Sequence, residues 1–352
     1  MSDMKGFSLF SGAGIGETYL SQCDINIAVA NEIVEKRAEL YRKMNPGHEM
    51  VCGDITKIEI FEKVMDKAQD SEFLIASPPC QGMSIAGKNR HQIMMVEDPR
   101  NYLIYSVLDA IERIKPDYII IENVPVLLKI KLPYNGELHT VLEILEAEFG
   151  DEYNIDGKRV NSADYSVPQT RYRAIIKMWP KTKNWPWPKT VDHQITVEET
   201  ISHLPSLESG EVSNIKWHYA RKHDSRQVLW MQHTPTGRTA FWNEEYYPQK
   251  KDGTRIKGYE SSYRRIKWDA PSPTITIRND AISSQRNVHP GRMKPDGTYS
   301  DARVLTPYEL MLLTSLPTDW NPPDNTPEIL IRQVLGESIP PLMIKKIVEE
   351  MR

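Results

Sequence analysis

The chain is 352 residues long, 39% hydrophobic and 26% charged, an ordinary globular composition with room for two hydrophobic cores and no tract biased enough for disorder or a solenoid. No stretch approaches a membrane span, the N-terminus lacks the apolar region of a secretory signal, and Cys23, Cys52 and Cys80 are too few and scattered for a disulfide framework or a cysteine-rich zinc site; no membrane and no metal are expected, and a reducing cytoplasm fits. The net charge of −4 hides a segregation, because residues 171–300 hold 22 basic against 13 acidic side chains and seven of the eight tryptophans, the composition of a nucleic-acid surface or of a solvated basic face over an aromatic core.

Taken in chain order, "GFSLF" (6–10) is a short apolar run that reads as a buried strand. It runs into "SGAGIGE", where Gly12, Gly14 and Gly16 make neither a GxGxxG fingerprint nor a phosphate loop. Such a turn lets backbone approach a ligand and aims amides at a negative group, or it is only a tight turn needing positive φ. "INIAVA" (25–30) is a second strand, and Glu32 beyond it sits where a carboxylate accepts hydrogen bonds from ribose hydroxyls. Asp54 in "CGDI" is placed either to receive an adenine amino group or to cap the residues after Thr56. These residues favour an adenosine-type cofactor and leave a nicotinamide dinucleotide open.

"EFLIA" (72–76) is a third strand, followed by "SPPCQGMS" (77–84). Pro78 and Pro79 stiffen the backbone and donate no hydrogen bonds, so Cys80 is presented from a rigid support at the rim where ligands bind. A solitary cysteine is otherwise a small buried hydrophobe. Asp98 and Pro99 suit a helix start, with Leu103, Val107, Ile111 and Ile114 at helical spacing. "YIIIE" (118–122) ends a very apolar strand on Glu122, where desolvation favours the protonated carboxyl. With Asn123 it matches the edge of a heterocycle such as cytosine, or it bonds a neighbouring loop. Leu138, Val141, Leu142, Leu145 and Phe149 predict a helix stopped by Gly150.

"RYRAIIKMW" (171–179) reads as one more strand, with Arg171 and Arg173 on one face, suited to phosphate and carbonyl oxygens or simply exposed. The connector "PKTKNWPWPK" (180–189) opens an irregular, turn-rich stretch to about residue 262, expected to be a smaller inserted domain. Thr306-Pro307-Tyr308-Glu309 is a capping box for a helix through about Leu313, and a last helix begins near Pro340. Alternating strands and helices predict an open α/β sheet with parallel pairing.

Nine segments in this order resemble the DNA cytosine-5 methyltransferase family of bacterial restriction-modification type: "FSGAG", "SPPCQGMS", "DPRNYL", "ENV", "QTRYR", "YRRIKWDAPSPTIT", "HP", "RVLTPYELMLLTSLPTDW" and "GESIPP". The resemblance implies a Rossmann-like S-adenosylmethionine-dependent sheet formed by 1–179 and 263–352, with a target-recognition domain at 180–262. It implies Cys80 as nucleophile, Glu122 as acid, Arg171 and Arg173 as active-site arginines, and Phe10, Gly12, Gly14, Glu32, Asp54 and Pro79 around S-adenosyl-L-methionine. It further implies a monomer acting on double-stranded DNA, with a cognate restriction endonuclease for the same site. On that scaffold Cys80 adds to carbon 6 of a flipped cytosine, Lys88 and Arg90 lie in the following lid, and carbon 5 takes the methyl. Ser8, Ile15 and Glu337 depart from the pattern, standing where an acid, a glycine and an asparagine are usual. A tRNA cytosine methyltransferase, a catalytically silent DNA-binding relative and a nicotinamide oxidoreductase are the rival readings.

Overall fold

Five apolar segments, β1 (Met4–Leu9), β2 (Ile25–Glu32), β3 (Glu49–Cys52), β4 (Phe73–Ala76) and β5 (Tyr118–Asn123), become parallel neighbours in the order β3-β2-β1-β4-β5. The computed structural model describes residues 3–79 and 102–351; Cys80, Gly82, Lys88, Arg90 and the Asp98-Pro99 helix start lie outside them. Both faces of the sheet are covered, so β4 and β5 are buried at every position rather than alternating. Phe7, Leu9, Leu74, Ile119 and Ile121 share one core with Val64 and Met65 of helix α1 (Ile58–Ala68) and Val107 and Ile111 of helix α2 (Leu103–Ile114). Register aligns Leu9 with Asn31 and with Ala76, and Ala76 with Ile121. The carboxyl ends of the strands therefore lie along one edge, and strand order reverses between β1 and β4, which is where an open α/β sheet opens its ligand crevice.

The rest of the sheet departs from the parallel expectation. Beyond β5 come β9 (Tyr172–Pro180) and β8 (Tyr153–Asn161), both paired antiparallel. Residues 162–171 between them are too few for the crossover that parallel strands require. The helix expected from Leu138 also begins later. Asn135 and Gly136, both at positive φ, close a hairpin of β6 (Lys131–Tyr134) and β7 (Glu137–Thr140) that takes Leu138 into a strand. Helix α3 (Val141–Phe149) follows under a Thr140/Glu143 capping box.

The chain forms two compact units, Met1–Asn161 with Tyr172–Lys189 and Met343–Arg352, and Ser162–Arg171 with Thr190–Leu342. In the first, the proline-tryptophan connector lies along β9: buried Lys177 donates to the Trp185 and Pro186 carbonyls, and the Trp185 indole donates to Ile347 of the last helix. In the second, a small core of Trp230, Met231, Tyr263, Val288 and Val304 sits beside a buried charge cluster. Arg303 donates to both Glu309 oxygens at 2.8 and 2.9 Å and to Asp301 at 2.9 Å. Burial opposes ionisation of Glu309, but Arg303 and His289 outweigh it and hold its carboxyl down to about 2. The depressed value stabilises the fold above the ordinary carboxylate range, and this is lost as pH falls toward 2. Arg303→Met strands two buried carboxylates and is expected to cost about 3–5 kcal/mol in urea unfolding; an unchanged midpoint would mean the cluster contributes nothing. Among the described residues no helix is long and apolar enough to cross a membrane, and no group of three or more His, Cys, Asp or Glu is arranged to hold a metal.

Candidate active site

The glycine turn leaves β1 through Phe10, which sits at φ 59, a costly value for a side chain of that size. Two bonds hold it there: Ser77 Oγ donates to the Phe10 carbonyl at 3.0 Å, and Ser11 N–H donates to the Asn31 carbonyl at 2.9 Å. Gly12 follows at φ 57, with no atom of the described residues within 4 Å of where a Cβ would lie, so these residues leave its backbone open to close approach. Gly14, at φ 77, is confined instead, because a Cβ there would stand 2.8 Å from the Tyr41 ring and from Asn45.

Glu32 closes over this turn. Its Oε2 accepts the Gly12 N–H at 3.0 Å, and its Oε1 accepts the Val34 N–H at 2.8 Å and lies 3.6 Å from Arg37. A carboxylate offers about four acceptor sites, so it holds the loop and keeps capacity for a ribose diol. Asp54 Oδ1 takes the Thr56 N–H and hydroxyl at 3.0 and 2.8 Å. This is the turn-capping use that its position allowed, and Oδ2 plays no part in it. Asn31 donates to the Val51 and Gly53 carbonyls and so sets the end of β3 beside that of β2.

On the other side of the reversal, the loop after β4 is tied to the end of β5. Buried Asn123 donates Nδ2 to the Pro78 carbonyl at 2.9 Å and accepts the Val124 N–H at 2.8 Å. One amide hydrogen and the amide oxygen thus serve the backbone. Pro79 is the last described residue before Cys80. Glu122, 7% exposed, meets the Arg173 Nε at 2.7 Å. Arg173 also donates to the Tyr172 carbonyl.

Arg171 and Arg173 do not share a strand face. β9 begins at Tyr172, so Arg171 lies ahead of it, buried, with Nη1 and Nη2 on the Ile275 and Gly336 carbonyls at 2.7 and 3.1 Å. Gly336 leaves no alternative residue, since a Cβ there would fall 2.3 Å from the Thr276 carbonyl oxygen. Glu337 is the last residue of the helix Glu328–Glu337.

One carboxyl near the site escaped the sequence reading. Glu17, just past the glycine turn, accepts from Ser8 Oγ at 2.5 Å and Tyr41 Oη at 2.7 Å. Burial pushes it up to about 7 against the pull of those hydrogen bonds. The available signal was Ser8 itself, a hydroxyl in place of an acid, with a glutamate nine residues on.

In chemical terms, the β1/β2 side offers an open glycine backbone and a carboxylate at a strand end, the elements that seat a nucleoside. Its neighbour across the reversal offers a buried carboxylate paired with a guanidinium.

Comparison with known proteins agrees with this layout. Residues 4–352 match the family model described as C-5 cytosine-specific DNA methylase. The chain is 56% identical to the type II methyltransferase M1.HgaI of Avibacterium volantium, covering 99% of this chain and 98% of that one. It is 28% identical to the type II methyltransferase M1.HphI of Haemophilus parahaemolyticus, covering 97% and 84%. Among solved structures, a DNA modification methyltransferase encoded in an E. coli prophage superposes with a TM-score of 0.72 at 17% identity, over 99% of this chain and 98% of that one. A methyltransferase of Entamoeba histolytica does so at 0.64 and 16%, over 99% and 98%. These two likenesses establish the Rossmann-like sheet.

Proposed function

The chain belongs to the C-5 cytosine-specific DNA methylase family, and from that membership we propose that Cys80 and Glu122 act together on a cytosine flipped out of duplex DNA, beside a cofactor seated on the glycine turn. Methylation of cytosine in DNA with S-adenosyl-L-methionine is the activity of the family and of this chain, as a type II modification enzyme. The observation that carries the finer reading is the Asn123 to Pro78 hydrogen bond of 2.9 Å. It ties the backbone just ahead of Cys80 to the residue next to Glu122, so the thiol loop and the carboxylate start from one rigid point.

Phe10, Gly12, Gly14, Glu32, Asp54 and Pro79 would hold the cofactor. The face of Gly12 left open by the described residues admits it, Glu32 has acceptor capacity for its ribose, and the Oδ2 of Asp54, outside the bonds made by Oδ1, suits an adenine amino group. Bound there, the cofactor supplies an electrophilic methyl on a sulfonium. Carbon 5 of cytosine is too poor a nucleophile to take it unaided. The Cys80 thiolate adds to carbon 6, Glu122 supports a proton at ring nitrogen 3, and carbon 5 gains enamine character. Carbon 5 then takes the methyl as the methyl–sulfur bond breaks. Loss of the carbon 5 proton, with expulsion of the Cys80 thiolate and return of the nitrogen 3 proton to Glu122, restores the ring. Arg173, in contact with Glu122, orients the carboxyl; Arg171 braces the Ile275 and Gly336 carbonyls. Flipping the base costs a few kcal/mol.

The stretch 180–262 serves as the target-recognition domain. Trp242 and Tyr259 are exposed there, the Arg238 guanidinium lies 5.2 Å from the Trp242 ring centre, and Arg255 stacks 3.8 Å over Tyr247. Rings and cations at one surface suit a nucleic acid. The enzyme works as a cytoplasmic monomer, with a restriction endonuclease of the same specificity as its counterpart.

Methyl-labelled cofactor offered to the purified full chain with duplex DNA and, separately, with tRNA tests the reading. Label is expected in DNA at one cytosine of a fixed sequence, located by bisulfite sequencing. Label confined to tRNA would establish the RNA alternative, and no transfer with normal DNA binding would establish a silent DNA-binding protein.

A further inference from the structure

Glu17 has no lysine or arginine paired with it among the described residues, and hydroxyls serve it instead. It ends the single turn Ile15–Glu17 and reaches back under β1. Ser11 Oγ donates to Ser8 Oγ at 2.7 Å, Ser8 Oγ donates to Glu17 Oε1, and Tyr41 Oη, from the helix Glu35–Met44, donates to Oε2. Behind Tyr41 stands His48, with Nδ1 at 3.2 Å from the phenol oxygen. The Tyr41 ring is also the floor under Gly14. One carboxyl thus reaches both ends of the glycine turn, Ser11 through Ser8 and Gly14 through Tyr41.

The groups facing it are Ser8 and Ser11 from β1 and its turn, Tyr41 from the helix, and His48 from the loop beyond. As a carboxylate Glu17 accepts from both hydroxyls. As an acid it must donate, and the network allows this: the carboxyl proton goes to Tyr41 Oη, whose own hydrogen turns to His48 Nδ1. Burial lowers the basicity of His48, and in the tautomer that carries its hydrogen on Nε2 the ring offers Nδ1 as an acceptor. Both states are satisfied, but only the carboxylate draws Ser8 and Tyr41 inward together.

We propose that Glu17 is a positioning residue for the cofactor, its carboxylate form holding the turn from Ser11 to Gly14 in the shape that binds S-adenosyl-L-methionine. The proposal rests on the glycine turn being the cofactor site. Burial brings the Glu17 titration to about 7, so the switch falls in the neutral range.

The test is calorimetric titration of the full chain with S-adenosyl-L-methionine from about pH 6 to about pH 8, with Glu17→Gln, Tyr41→Phe and Glu32→Ala beside the wild type. Wild-type affinity is expected to rise with pH, by up to about tenfold if only the ionised form binds. Glu17→Gln should bind weakly with that rise removed. Tyr41→Phe takes away a donor to the carboxylate and should move the midpoint to higher pH. Glu32→Ala should lose affinity at every pH and keep the wild-type slope. A Glu17→Gln protein with the wild-type rise overturns the proposal, and where that variant does not fold, an unmoved midpoint in Tyr41→Phe does so. Unaltered affinity in Glu32→Ala would instead remove the glycine turn as the cofactor site, a distinct failure.

Discussion

Cys80→Ala is expected to abolish methyl transfer to DNA, by on the order of 10⁴-fold or more as for other covalent nucleophiles, while cofactor affinity stays within about twofold because, of the residues proposed to hold the cofactor, all but Pro79 lie across the strand reversal and the substitution leaves Pro79 in place. The expectation follows from the substrate. Without a bond at carbon 6, cytosine keeps its aromatic ring and carbon 5 has no electron pair to offer. Holding the sulfur above the ring is a matter of position, and the loop is equipped for it: Ser77 is bonded to the Phe10 carbonyl and Pro78 to Asn123. The measurement is label transfer to duplex DNA alongside a calorimetric titration with the cofactor. Covalent trapping on DNA containing 5-fluorocytosine adds an independent readout, since the adduct should form with the wild type and be absent from the variant. Turnover within tenfold of wild type would end the covalent reading.

Glu122→Gln is expected to cut turnover by about 10²–10⁴-fold, the usual worth of a positioned acid, with the fold retained. The amide keeps an acceptor for the Arg173 Nε–H but cannot deliver a proton in the same way. Arg173→Met serves as the contrast, because it leaves the buried carboxylate without its guanidinium and should lower stability as well as rate. If Glu122 were only the counter-ion of Arg173, the two substitutions would lower stability alike and Glu122→Gln would keep near-normal kcat. A selective loss of kcat in Glu122→Gln, with an unmoved urea midpoint, is the expected pattern.

Much of the scaffold was legible because it depends on neighbours in sequence. The Thr306/Glu309 capping box forms as its spacing implies, and the helix it opens runs from Pro307 to Leu313. The runs ending near Leu9, Glu32, Ala76 and Asn123 are strands because continuous Ile, Val, Leu and Phe suit a sheet covered on both faces. The Asn135-Gly136 turn carried its own signal, and a helical pattern through Leu138 obscured it. The antiparallel edge followed from a connection too short for a crossover, a fact invisible until β8 was a strand.

By itself the sequence determined which apolar runs of the first half become strands, that helices alternate with them, and which residue types reach the carboxyl edge of the sheet, since these follow from local sterics and the period of apolar side chains. Partnership was decided only in the tertiary structure. Glu122 meets Arg173, Asn123 meets Pro78 across 45 residues, and Glu17 meets Tyr41 across 24. Arg171 and Arg173, two residues apart, serve different carbonyls and carboxylates. A buried polar group must find a partner wherever the fold brings one within about 3 Å, and chain distance carries no information about which one that will be.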